Sequence, residues 1–249
     1  MALNEPTVLI TGASRGIGAA TAIAAARDGF NVAINYLKDA AAADSVAQAV
    51  RQHGRKAVTV QGDVGRPDDI PRLFQETEQH LGPLTALVNN TGITGPIGPF
   101  SRTTDATIER VFQVNVFGVM QCSRQALECF ARNGSNGVIV NVSSVAARTG
   151  SPNEYIHYAA SKAAVDAFTL GLAREVAGSG VRVCGVSPGS TLTEIHAAAG
   201  EPGRPERVAP KIPMGRLARP EEIAEAVVWL LSPAASYMTG SVIQCSGGL

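Results

Sequence analysis

Short runs of consecutive apolar and β-branched residues alternate along the whole chain with longer stretches whose apolar positions recur every three or four residues. The first run, Thr7 to Thr11, predicts a strand; a glycine turn follows, then an alanine-rich helix over Ala19 to Arg27. The same alternation predicts strands at Asn31 to Tyr36, Ala57 to Gly62, Leu84 to Asn89, Gly137 to Ser143, Val181 to Val186 and Ser241 to Cys245. Helices are predicted between them at Asp39 to His53, Pro67 to Leu81, Asp105 to Ala131, Tyr155 to Ala177 and Pro220 to Leu231. Strands separated by helices imply right-handed crossovers, hence an α/β fold with a doubly wound parallel sheet of about seven strands and helices on both faces. Continuous apolar strands such as Ala86-Leu-Val88 and Val138-Ile-Val140 agree with burial from both sides. No linker, repeat or low-complexity tract interrupts the pattern, so residues 1–249 read as one domain. One long irregular segment, Ser190 to Arg219, is rich in Pro, Gly and charge, as loops that cover sites often are.

Composition narrows the classes. Hydrophobic residues make up 45% of 249, enough for a substantial core, and charged residues only 17%. Twenty-one basic residues balance 21 acidic ones with no basic stripe, so no nucleic-acid partner is expected. Cys122, Cys129, Cys184 and Cys245 form no CxxC pair, and His53, His80, His157 and His196 are dispersed. Neither a disulfide framework nor a metal site is therefore expected. The start, Met1 to Pro6, lacks a basic region followed by an apolar core, so no secretory signal is expected. No apolar run approaches the roughly 18 residues of a membrane span, and the expected location is the cytoplasm.

Two patterns carry chemistry. Thr11-Gly12-Ala-Ser14-Arg15-Gly16-Ile17-Gly18 follows the first strand and opens the first helix. Glycines there permit a tight turn, and the helix N-terminus offers free N–H groups and a positive dipole end to a pyrophosphate. The same residues match the G-x-S-x-G elbow of serine hydrolases, with Ser14 as nucleophile. Against that reading, only one strand precedes the turn, and an elbow has no use for Gly18. The second pattern is Tyr158-Ala-Ala-Ser161-Lys162. On a helix its phenol and ammonium leave the same face, and a nearby positive charge favours the phenolate, poising the tyrosine for proton transfer.

The glycine loop, a serine on the fifth strand and the Tyr/Lys pair, in this order, resemble the short-chain dehydrogenase/reductase family, from Thr7 to Gly248. The resemblance implies a single Rossmann-fold domain that binds a nicotinamide dinucleotide. It assigns Asp63 to the adenine, with Val64 contributing backbone, and matches Asn89-Asn90-Thr91-Gly92 to the family's NNAG, with Thr91 replacing alanine. Asn115 matches an asparagine that kinks its helix and holds a water leading to the lysine. In Asn141-Val-Ser143-Ser144-Val145, Ser144 matches the catalytic serine better, with Ser143 as fallback. Tyr155 is a competing phenol, but Ala159 rather than lysine stands four residues on. Ser187-Pro188-Gly189 and Thr193 resemble the segment that holds the nicotinamide carboxamide, and Thr191 replaces its usual aliphatic residue. The implied reaction moves a hydride between nicotinamide and a carbonyl or alcohol carbon. Ser144 would polarise the substrate oxygen, Tyr158 exchange its proton, Lys162 lower the tyrosine's pKa and bind ribose, and Asn115 complete the proton path.

Cofactor choice turns on the end of the second strand, where NAD users commonly place an acid. Here it reads Asn35-Tyr36-Leu37-Lys38, and Asp39 is better placed to cap the next helix. Arg15 and Lys38 suit a 2′-phosphate, so NADP(H) is favoured, with NAD(H) the alternative. Ile93 to Phe100, Ala146 to Ile156 and Ser190 to Met214 should wall the substrate pocket, with Asn153, Glu154 and His157 at its mouth. The Tyr36 strand end and His157 to Lys162 resemble the sugar and polyol branch. A 3-oxoacyl-[acyl-carrier-protein] reductase shares most of these signatures, and a non-catalytic NADP(H) sensor is the rival of another class. Relatives pair subunits through the two long helices and the C-terminal segment, so a homotetramer is expected, else a dimer.

Overall fold

The computed structural model describes residues 5–249; residues 1–4, on which the expectation about a secretory signal largely rests, lie outside the described residues. Seven strands among the described residues form one parallel sheet. They are β1 (Thr7–Ile10), β2 (Asn31–Tyr36), β3 (Ala57–Gln61), β4 (Ala86–Asn89), β5 (Val138–Val142), β6 (Arg182–Pro188) and β7 (Val242–Cys245). Their spatial order is β3-β2-β1-β4-β5-β6-β7. Ile10 pairs with Ile34 on one side and Val88 on the other, so the winding reverses between β1 and β4 and opens a crevice at their carboxyl ends.

The helices are α1 (Gly16–Arg27), α2 (Ala40–Gln52), α3 (Asp69–Leu81), α4 (Asp105–Phe112) and α5 (Gly118–Asn133). They continue with α6 (Ala146–Thr149), α7 (Ile156–Val176), α8 (Ile195–Ala198), α9 (Arg204–Val208) and α10 (Pro220–Leu231). One sheet face buries α1, α2 and α10, with Ala22, Ala25, Val46, Val50, Ile223 and Val227 among the core residues. The opposite face buries Leu73 and Phe74 of α3, Ala126 and Phe130 of α5, and Ala173 of α7. Small side chains on α1 let it lie close against α10. As expected, Asp39 caps α2: its Oδ1 accepts the Ala42 N–H at 2.9 Å.

Three segments depart from the periodicity. The continuous helix predicted over Asp105 to Ala131 is interrupted by a π turn at Gln113–Phe117. Asn115 lies in that turn, fully buried, and an amide there needs partners that a regular helix would not deliver. It finds them in the Ile93 N–H and C=O and the Ser161 hydroxyl. Segment 190–219, expected to be irregular, contains α8 and α9, because Val208, Ile212 and Leu217 form a small apolar cluster of their own. A parallel bridge between Thr191 and Ala218 closes its base. β4 starts at Ala86 rather than Leu84, whose N–H instead donates to Glu78 Oε1 at 3.2 Å.

A buried amide network ties the sheet to its helices. Asn89 Nδ2 donates to Asn141 Oδ1 at 2.9 Å and to Ser123 Oγ at 3.1 Å, while Asn141 Nδ2 donates to Thr169 Oγ1 at 2.9 Å. Asn141→Ala would leave the Asn89 amide short of an acceptor in a dry interior. Urea unfolding of this variant is expected to show a loss of about 2–3 kcal/mol with an unchanged slope.

Candidate active site

The carboxyl ends of the central strands open onto a cleft of about 790 Å³. Its floor at one end is the loop from β1 to α1. Gly12 and Gly16 sit at φ +62° and +56°, where a side chain is strained. Asn90, just past β4, clamps this loop by donating to Thr11 O at 2.9 Å and Gly12 O at 3.0 Å. From the β2 side, Asn35 Oδ1 accepts the Gly12 N–H at 3.1 Å. A Cβ on Gly12 would lie 2.8 Å from Thr91 Oγ1, so the backbone here is available only because no side chain occupies it. Arg15 is the N-cap of α1 in extended backbone and makes no side-chain cap, which leaves the first-turn N–H groups free. This cradle fits a pyrophosphate at the positive end of a twelve-residue helix. Ser14 has no histidine partner among the described residues, so the hydrolase elbow lacks its base.

Further along, β5 and α7 deliver the candidate chemistry. Ser143 also lines the cleft, and its hydroxyl donates to Lys162 O at 3.3 Å. Ser144 lines the cleft, and its Oγ accepts the Ala146 N–H at 3.1 Å, leaving its own proton for another partner. Tyr158 and Lys162 lie one turn apart on α7 and both line the cleft. Lys162 Nζ donates to Val142 O at 2.7 Å and sits 5.7 Å from the centre of the Tyr158 ring. A Cβ on Gly92 would lie only 3.3 Å from that ammonium, so a bare backbone is needed beside it. Ser161, between the pair, donates to Tyr158 O at 2.7 Å and accepts from Asn115, which thereby braces the tyrosine's turn.

Whatever pull Lys162 exerts, the Tyr158 pKa lies above its ordinary value. Burial is the main cause, and the Ser144 hydroxyl and the Arg204 charge pull it back only in part. The ammonium lies over the ring and is spent on Val142 O rather than on the phenol oxygen. The same burial pushes Lys162 down to about 8, against the pull of Asp166 one turn on.

Most of the expected cofactor residues meet in this one cleft: Gly12, Ser14, Arg15, Gly16 and Ile17 from the loop, and Tyr36 and Lys38 from the end of β2. Asn90, Thr91 and Gly92 follow β4, and Pro188, Gly189, Thr191 and Thr193 come from the end of β6 and beyond. Gly18, Asp63, Val64 and Asn115 do not line it. Gly18 packs against the loop backbone. Asp63 has both oxygens engaged, Oδ1 with the Gly65 N–H at 2.8 Å and Oδ2 with Arg110 at 2.6 Å, and Val64 is buried. Of the polar groups expected at the substrate mouth only Glu154 lines the cleft. Asn153 is an exposed turn residue at φ 62°, and His157 points away, with its Nε2 2.7 Å from Thr94 O.

Tyr155, His196, Arg204, Arg207 and Lys211 also line the cleft; they lie in the segments expected to wall it, although the sequence assigned none of them a role of its own. Glu154 joins Arg204 at 2.7 Å and Arg207 at 2.8 Å, fastening segment 190–219 to the turn before α7. Burial pushes the Glu154 carboxyl up, but the two arginines outweigh it and hold it below the usual range. The one sequence signal, Glu201, Arg204 and Arg207 spaced three apart, is also what an exposed helical turn looks like. No group of three or more potential metal-ligating side chains occurs among the described residues, and no helix described is long and apolar enough to cross a membrane.

Comparison with known proteins identifies the relatives of this architecture. A family profile described as enoyl-(acyl carrier protein) reductase matches residues 12–249. An uncharacterized oxidoreductase of Escherichia coli K12, YgfF, is 49% identical over 242 residues, covering 96% of this chain and 98% of the relative. Glucose 1-dehydrogenase 2 of Bacillus subtilis 168 is 34% identical over 247 residues, covering 99% and 95%. A short chain dehydrogenase from Burkholderia cenocepacia J2315, solved in complex with NADP, superposes with a TM-score of 0.89 at 33% identity, covering 98% of this chain and 97% of that one. Identity of this extent over nearly the whole length joins shared sequence to shared topology, and the chain belongs to the short-chain dehydrogenase/reductase family, whose members are NAD(P)-dependent oxidoreductases.

Proposed function

We propose that this protein is an NADP(H)-preferring oxidoreductase that interconverts a secondary alcohol and a carbonyl on a small hydroxylated substrate, a sugar or polyol. The reading is carried by one observation: the Ser144 hydroxyl, the Tyr158 phenol and the Lys162 ammonium converge on the cleft that the glycine loop opens onto. When bound, the nicotinamide supplies or accepts the hydride. Ser144 donates to the substrate oxygen and steadies its developing negative charge. Tyr158 gives that oxygen a proton in reduction and takes it back in oxidation. Lys162, charged below about pH 8, uses one donor on Val142 O and keeps two for ribose hydroxyls. Asn115 acts through Ser161 on the backbone of Tyr158 and leads the proton path past the π turn.

The NADP(H) preference is supported by Arg15 and Lys38, both exposed, lining the cleft end next to Tyr36, and by NADP in the B. cenocepacia relative. Asp39 lines the same end, but its Oδ1 is committed to capping α2. Asp63 and Val64 belong to the adenine end of this reading as supports of the loop after β3. Arg15→Ala is expected to raise the dissociation constant for NADPH about tenfold and leave that for NADH within about twofold, by titration calorimetry. Equal or tighter NADH binding by the unaltered protein would overturn the preference.

The sugar and polyol reading is supported by the name of the B. subtilis relative. A second reading is reduction of a 3-oxoacyl-[acyl-carrier-protein]; the family profile's description shares its acyl-carrier-protein substrate, though it names reduction of an enoyl C=C and not of a ketone. A panel of sugars, polyols, 3-oxoacyl thioesters and aldehydes, followed by the absorbance of reduced nicotinamide, separates the two. Tight NADP(H) binding with no turnover across the panel would instead favour the sensor. Exposed Phe117, Met120 and Leu170 on or beside the long helices support assembly into a homotetramer, else a dimer.

A further inference from the structure

Arg204 is the most deeply placed cation of the segment that covers the cleft. It is 8% exposed, on α9, with its guanidinium stacked 5.4 Å over the Tyr155 ring. That ring in turn meets the Tyr158 ring edge-on at 5.3 Å, 86° between planes. Three layers therefore run inward: guanidinium, Tyr155, Tyr158. The guanidinium is incompletely satisfied, since Nη2 donates to Glu154 at 2.7 Å, Nη1 faces His196 Nδ1 at 3.4 Å, and the buried Nε has no partner. His196 adds no charge. Its Nε2 lies 2.9 Å from Thr191 O and must carry the proton, so Nδ1 is the lone-pair nitrogen facing Arg204.

The charged and titratable groups around Tyr158 are few. Lys162 comes from its own helix, bonded to Val142 O and facing Asp166. Tyr155 and Glu154 come from the turn before α7, and Arg204 from α9 across the cleft. Arg207, behind Arg204, is tied to Glu154 at 2.8 Å and to Glu201 at 2.6 Å, so its charge is shared between two carboxylates. The hydroxyl of Ser144 is neutral. Of the cations, Lys162 lies 5.7 Å from the Tyr158 ring centre with one donor on a carbonyl, and Arg204 adds a second positive charge across an aromatic layer that excludes water, where charge is weakly screened.

Accepting Tyr158 as the proton-transferring group, we infer that Arg204 is a positioning residue that holds Tyr155 against Tyr158 and supplies positive charge favouring the phenolate, with Glu154 setting how much of it the phenol feels. The arrangement couples acid strength to the cover: Arg204 reaches this position only when segment 190–219 lies over the cleft and Glu154 receives it. A clamp of purely mechanical function would not require the cation to sit on the aromatic pair.

The test reads the phenol directly and needs no substrate. The protein carries four tyrosines, so labelling with 3,5-difluorotyrosine gives a small set of 19F resonances, and Tyr158→Phe assigns the one of interest. Its titration is followed in the unaltered protein and in Arg204→Gln, Arg204→Lys and Glu154→Gln. Arg204→Gln is expected to move the Tyr158 midpoint to higher pH, Glu154→Gln to lower pH, and Arg204→Lys to leave it nearest the unaltered protein. Opposite signs are the signature of charge, because loosening the cover would move both neutral variants the same way. An unmoved midpoint in Arg204→Gln, or a shift of the same sign in both Gln variants, would overturn the inference. Should Arg204→Gln fail to fold, the downward shift in Glu154→Gln and the near-neutral effect of Arg204→Lys decide it alone. Failure of the functional reading is separate: it would appear as turnover surviving in Tyr158→Phe whatever the titrations show.

Discussion

Replacing Tyr158 with phenylalanine is expected to reduce turnover of any alcohol or carbonyl substrate by about a thousandfold or more, with the NADPH dissociation constant changed less than about threefold. The substitution removes one oxygen and little else. The ring is buried, its edge-on contact with Tyr155 and its packing on Ala146 and Ala159 survive, and Lys162 keeps its bond to Val142 O. What disappears is the proton on the substrate side of the cleft, and no neighbour can supply it. Tyr155 is held back under Arg204, with its phenol pushed far up by burial, and Ser144 is too weak an acid. Steady-state rates and calorimetric NADPH binding on the same preparation check this. Turnover within about tenfold of the unaltered protein would remove Tyr158 from its assigned role.

Gly18→Ala is expected to cost about 3 kcal/mol of stability and to weaken cofactor binding by about a hundredfold or more. Gly18 belongs to the first turn of α1, so its backbone tolerates any residue, but no space exists for a methyl group. A Cβ would lie 2.4 Å from Gly12 O, 2.5 Å from Asn90 Nδ2 and 2.9 Å from Ala13 Cα. Two of these are backbone atoms that cannot rotate away. The third belongs to the amide that clamps Thr11 and Gly12. Either α1 moves outward, separating its N-terminus from the loop, or Asn90 lets go and the loop loses its shape. Denaturant unfolding reads the first effect and NADPH titration the second. A variant with normal stability and affinity would show that the helix and loop can part without consequence, and the cradle would not be the cofactor's seat.

The alternation of apolar strands with 3.6-periodic helices carried the fold. Each strand is short and apolar on both faces, a pattern that a parallel sheet covered twice satisfies and that few other folds do. The local motifs were equally legible, because their chemistry resides in residues adjacent in sequence. Gly12, Gly16 and Gly18 shape one turn, Asp39 caps the helix that follows it, and Tyr158 and Lys162 share one face of α7.

Three features could not be read from local pattern, each for a reason that lies across the chain, and the kink at Asn115 came only from the family resemblance. The π turn at Asn115 exists because Ile93 and Ser161 are there to receive its amide, 22 and 46 residues away in sequence. Arg204 stacks on Tyr155 and pairs with Glu154, 50 residues back, and nothing in the spacing of Glu201, Arg204 and Arg207 tells which of them turns inward. The environment of the Tyr/Lys pair was the third. Helical spacing brings the two side chains to one face, but whether an ammonium acidifies a phenol depends on the desolvation of both and on competing acceptors.

The sequence by itself determined the order of elements, the tight glycine turn and the placing of Tyr158 and Lys162 on one helix face, since all of these follow from periodicity and steric demands within a few residues. The tertiary structure alone decided that the Ser143 hydroxyl bonds Lys162 O, that Val142 O takes the Lys162 ammonium, and that a cation from a distant short helix lies over the Tyr155 ring. Burial and long-range hydrogen bonding set those outcomes, because the strength of a charge depends on what excludes water from it, and those atoms come from parts of the chain that meet only on folding.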